Sequence, residues 1–109
     1  MGLFKKKEKI EGDHRVLIAY GDALGIFDVW EFGKLIKRFK LERGIAIVKK
    51  EPTQKVYEEA EKNHVEIMIS QNPKEFAQQM RKQLETPNYK VAVRKLEEVA
   101  DRSIMQDPC

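Results

Sequence analysis

The residues most able to do chemistry in this chain sit in one short stretch, Gly21-Asp22-Ala23-Leu24-Gly25. It follows Val16–Tyr20, an unbroken apolar and aromatic run. Such a run predicts a central strand buried on both faces. An open parallel sheet binds ligands beyond the carboxyl ends of its strands, so a glycine-flanked loop with an acid stands where a site is expected. The loop lacks the Lys-Ser/Thr of a nucleotide P-loop and the three spaced glycines of a dinucleotide fingerprint. Asp22 alone is a poor magnesium ligand unless phosphates complete the shell. The stretch therefore reads first as a structural turn.

The other reactive side chains are isolated. His14 and His64 flank strand starts, and no partner can be assigned to either. Ser70 and Ser103 have no nucleophile-elbow context. Cys109 is the sole cysteine, so neither a disulfide framework nor Cys/His zinc spacing can be built. No catalytic residue, metal ligand or cofactor is expected. Lys49-Lys50, directly after the apolar run Ile45–Val48, are placed to meet phosphate.

The elements that must position these residues are legible in the periodicity. Strands are expected over Val16–Tyr20, Ile45–Val48 and Val65–Ser70, the last nearer the sheet edge because its apolar residues alternate. A helix is expected over Phe27–Lys40. Asp28 would cap it with Glu31 completing a capping box, and Phe27 would staple to Phe32. Its core stripe is Val29, Phe32, Ile36 and Phe39, with Lys34, Lys37, Arg38 and Lys40 largely off it. Gly33 within it suggests close backbone packing. Pro52-Thr53 opens a second helix stopping near Asn63, and Asn72-Pro73 opens a third that breaks at Thr86-Pro87.

Tyr89, Val91 and Val93 alternate like a strand, whereas Val93, Leu96, Val99 and Ala100 fit a helix. A C-terminal helix over 87–105 is favoured. Residues 1–12 read as a basic arm or edge strand, with the core over 15–84. The expectation is one small three-layer α/β domain over 1–109, with a mostly parallel sheet in β-α-β-α-β-α order. An N-terminal antiparallel hairpin strand would fit beside it.

The chain has 109 residues, 36% of them charged, and a formal net charge of +3. Residues 1–50 carry 12 Lys/Arg against 7 Asp/Glu, and residues 51–109 carry 9 against 11. That asymmetry points to an anionic partner for the first half. No apolar run approaches the roughly 18–20 residues of a membrane span, and no signal-peptide h-region is present. A cytoplasmic location is expected, and the Lys/Glu content suits a thermophile.

From Phe27 to Ile69 the pattern resembles the restriction-endonuclease-like fold, most closely type IV restriction endonucleases and archaeal Holliday-junction resolvase relatives. The residues that carry the resemblance are Arg43-Gly44, the strand Ile45–Val48, Thr53, Ala60 and Asn63-His64-Val65-Glu66-Ile67. A hairpin over Leu3–Tyr20 would supply the preceding strands, extending the likeness over residues 3–80. The family's nucleases hold Mg²⁺ with an Asp on one strand and Glu-x-Lys on the next. The resemblance places Ile18 and Tyr20 at the Glu and Lys positions, and there is no Asp near Phe4. It therefore implies a relative without the catalytic motif.

The expected function is a non-catalytic nucleic-acid-associated domain with a basic surface: Lys5, Lys6, Lys7, Lys34, Lys37, Arg38, Lys49 and Lys50. One alternative is a protein-interaction or homo-oligomerisation module using Trp30 and the C-terminal helix. Another is a small phosphate-ligand protein using the loops at Asp22, Lys49 and Asn72.

Overall fold

The apolar run after Arg15 forms strand β1 (His14–Gly21), a second such run forms β2 (Arg43–Val48), the alternating segment forms β3 (Val65–Ile69), and β4 (Lys90–Lys95) is built around Val91–Val93. Helices α1 (Ile26–Arg38), α2 (Gln54–Lys62), α3 (Pro73–Leu84) and α4 (Leu96–Val99) follow them in turn. The computed structural model describes residues 14–99. All pairings are parallel, in the order β3-β2-β1-β4. β1 is central and β3 lies at an edge, as their apolar patterns predict.

Right-handed crossovers put α1 and α2 on one face, and the return from β3 past β1 to β4 puts α3 on the other. The core divides accordingly. Leu17, Ala19, Ala46, Val48 and Ala92 pack under Phe32, Ile36, Val56, Ala60 and Leu96. On the opposite face Val16, Ile18, Ile45, Ile47 and Val91 pack under Ala77, flanked by Phe76, Met80 and Leu84. Three layers result, with four strands rather than three.

Three local expectations are corrected. First, residues 87–105 do not open as a helix. Residues Lys90–Lys95 form β4, and only Leu96–Val99 are helical, their Leu96 and Val99 buried in the core. Residues 100–105 lie outside the described residues. The strand wins because β1 is apolar on both faces and needs a partner on its second edge. β4 supplies it, in continuous register from Val16↔Val91 to Tyr20↔Lys95, with a bulge between Val16 and the His14↔Lys90 pair.

Second, with β2 and β4 on its two edges, β1 has no edge left for an antiparallel partner. The hairpin expected over Leu3–Tyr20 thus has nothing to pair with along β1. Residues 1–13 themselves lie outside the described residues.

Third, α1 begins earlier than expected. Gly25 is the N-cap, and Asp28 at the third position accepts the Gly25 N–H at 2.7 Å. Phe27 is 58% exposed and packs edge-on against Trp30 instead of stapling to Phe32. The other helix signals behave as read. Thr53 caps α2 by accepting the Val56 N–H, Asn63 ends it, and Pro73 opens α3. Gly33 is a true close approach, since a Cβ there would lie 2.5 Å from Asn63 Oδ1.

Candidate nucleic-acid interface

Helix α1 packs Val29, Phe32 and Ile36 onto the sheet. At about 100° per residue, Phe27, Trp30, Lys34, Lys37 and Arg38 then fall within an arc of roughly 100° on the opposite side. These five are the exposed residues of α1. Two are aromatic and three are cationic. The acids of the helix are withdrawn from this face: Glu31 is buried, and Asp28 is half-buried and engaged at the N-cap. The stripe runs along about 16 Å of helix, aromatic at its start and basic at its end.

The aromatic end is held in place. The Phe27 and Trp30 rings meet at 88° with centroids 5.4 Å apart. The Trp30 indole donates Nε1–H to Glu59 Oε1 on α2 at 3.0 Å. That bond, helped by Lys62 and Lys55, holds the Glu59 carboxyl below its ordinary range. Trp30 is still 43% exposed, so an anchored aromatic ring is presented to solvent.

At the basic end, Arg38 lies 5.5 Å from the Phe39 ring centroid, a cation–π contact that steadies the guanidinium. Lys34 leans on Glu31 at 3.3 Å yet stays largely exposed. Lys37 has no ion pair among the described residues. By contrast, two arginines at the amino ends of β1 and β2 are paired within the fold. Arg15 pairs with Glu42 at 2.9 Å, and Arg43 holds Glu66 through two bonds of 2.8 and 2.9 Å.

The fork of Arg43 pulls the Glu66 carboxyl below its ordinary range against the opposing cost of burial. A carboxyl lowered by folding contributes stability that is full above its unfolded pKa of about 4.3 and lost as pH falls through the folded value. Both side chains are more than a third exposed, so the contribution is about 1 kcal/mol or less. Urea midpoints of the wild type and Glu66→Gln should therefore differ at neutral pH and converge in strong acid. A constant difference across that range would assign the loss to packing instead.

The structure brings only part of the expected basic set together. Lys34, Lys37 and Arg38 share one face of α1. Lys49 and Lys50 are exposed in the loop after β2, where both backbone N–H groups donate to the Asp22 carbonyl at 3.1 and 2.9 Å. That loop lies at the carboxyl ends of the strands, beside the loop leading into Phe27. Lys37 and Arg38 lie at the far end of α1, near the strands' amino ends. The lysines thus flank the aromatic end of the stripe and do not continue its basic end. Lys5, Lys6 and Lys7 lie outside the described residues.

From sequence, Trp30 points to a protein or homo-oligomer interface and not to nucleic acid. Phe27 had been given to a staple, and the signal that could have found it was its helical spacing with Trp30 and Lys34. Ile18 is fully buried and Tyr20 half-buried, and of the isolated reactive residues His64 occupies the left-handed turn after α2 at φ 62°. No group of three or more His, Cys, Asp or Glu among the described residues is placed to hold a metal ion. No helix among them is long and apolar enough to cross a membrane. Comparison with protein families, curated proteins and solved structures found no match.

Proposed function

We propose that this chain is a non-catalytic nucleic-acid-binding domain that engages a single strand along the outward face of α1. The observation that carries the reading is the composition of that face, where all five exposed residues are aromatic or cationic. Sequence-independent single-strand binding needs those two parts: cations that track the backbone and aromatic rings on which bases stack. Helices α2 and α3 mix acids and amides into their exposed faces and offer no such stripe. A duplex would offer phosphates to the cations but would keep its bases from the rings.

Trp30 is the only tryptophan, so its fluorescence reports the proposed contact directly. Titration with a short oligothymidylate at low salt should quench it saturably, and added salt should reverse the quench. Unchanged fluorescence and an unshifted gel band at low salt would overturn the reading. An acidic peptide that quenches as strongly at equal charge would also overturn it, in favour of a protein partner.

A further inference from the structure

The order β3-β2-β1-β4 has one switch point, between β1 and β4, where the chain leaves one face of the sheet for the other. Loops diverge there at the carboxyl ends of the strands and leave a crevice. The structure has one at that place, of about 520 Å³. It is walled by Tyr20 from the end of β1, Asp22 from the β1–α1 connection, Asp28 from the first turn of α1, Lys74 from α3, and Lys95 and Glu97 from the end of β4 and the start of α4. Its size falls within the range of small-molecule sites, roughly 300–1,000 Å³. At its base, Gly21 and Leu96 touch so closely that a Cβ on Gly21 would lie 3.0 Å from Leu96 Cβ.

The charged groups on these walls are mostly unspent. Asp28 is engaged by the Gly25 N–H. The ammonium groups of Lys74 and Lys95 and the carboxylates of Asp22 and Glu97 have no side-chain partner among the described residues. The two lysines reach the crevice from different elements. Beside Lys74, Pro73 has no N–H and the Asn72 side chain makes no capping bond, so the Lys74 and Glu75 N–H groups of α3 remain open as well.

We propose that this crevice binds a phosphomonoester of a small polyhydroxylated molecule. Lys74, Lys95 and the open N–H groups of α3 take the phosphate, and Asp22 and Glu97 accept hydrogen bonds from hydroxyl groups. The two carboxylates set the ligand class. They would repel a polyanion such as a nucleic-acid backbone, whereas a single phosphate joined to hydroxyl donors satisfies both signs of charge. The site is separate from the outward face of α1 and does not depend on the reading proposed for it.

The test is a backbone-amide NMR titration of the full chain with ribose 5-phosphate, inorganic phosphate and ribose. Ribose 5-phosphate should give saturable shifts at Lys74, Glu75 and Lys95, at lower concentration than inorganic phosphate, and ribose alone should give none. Lys74→Gln and Lys95→Gln should each weaken binding by about tenfold, while Lys82→Gln, in the last turn of α3 and outside the crevice, leaves it unchanged. The proposal is overturned by unsaturable shifts spread over lysines of every face. It is equally overturned by binding that survives both crevice substitutions, or by inorganic phosphate binding as tightly as the ester.

Discussion

Replacing Phe27 and Trp30 together by alanine should weaken single-strand binding by about 5- to 150-fold, the equivalent of about 1–3 kcal/mol for one stacked base. The two rings form one T-shaped unit, so a single base is the proper count. The salt dependence should stay as it was, because no cation is removed. Lys37→Gln with Arg38→Gln should behave differently. Losing two phosphate contacts should reduce the slope of log affinity against log salt by about 1.4 in magnitude. Both variants alter exposed positions and should keep the wild-type urea midpoint closely, apart from the Trp30–Glu59 bond. Fluorescence anisotropy of a labelled oligonucleotide reads both quantities. Unaltered affinity in the double alanine variant would remove stacking from the interface, and a slope untouched by the double glutamine variant would remove the basic end.

The largest expected loss of stability comes from Phe32→Ala, at about 3–5 kcal/mol. Phe32 is fully buried, and with Ile36 it forms the contact by which α1 sits on the sheet. A domain of this kind has about 5–15 kcal/mol in all, so the urea midpoint should fall by a large fraction of its value. The converse change is informative at the same place. α1 approaches β2 over Gly44, where a Cβ would lie 2.5 Å from Ile36 Cδ1 and 2.8 Å from Phe32 Cε1. Gly44→Ala should cost about 1–3 kcal/mol through overpacking. Combining it with Ile36→Val should cost less than the sum of the two, since the first clash is with the methyl group that valine lacks. Strict additivity would mean that the helix shifts bodily to admit the new carbon.

Much of this fold could be read from the chain because its strands are apolar on both faces and its helices carry local start and stop signals. Val16–Tyr20, Ile45–Val48, Thr53, Asn63 and Pro73 depend on near neighbours, and each stands where its local chemistry puts it. Residues 90–95 could not be read that way. Val91 and Ala92 are both buried, so the segment lacks a clean alternation, and what makes it a strand is the unpaired edge of β1, far away in sequence. The start of α1 failed for a related reason. Asp28 can cap from the first position or from the third, and only the approach of Gly25 distinguishes them.

The candidate interface was half legible. Its cations could be listed from composition and spacing, but their grouping required knowing that Phe27 faces outward and that Lys49 and Lys50 sit at the opposite end from Arg38. The crevice was less legible still. Asp22 was visible as a loop acid, whereas Lys74 and Lys95 come together only because β4 lies beside β1.

The pairing of β1 with β4 also has a consequence for how the protein is made. The central strand receives its second neighbour from residues about 75 positions later in the chain. During synthesis β1, β2 and β3 emerge first, and until Lys95 has left the ribosome β1 carries an open edge between two apolar faces. Long-range parallel closure is slow, and such an edge recruits other chains. The interval between translating β3 and translating β4 is thus when this protein is most prone to aggregate, and a chain interrupted before Lys90 would keep that edge permanently open.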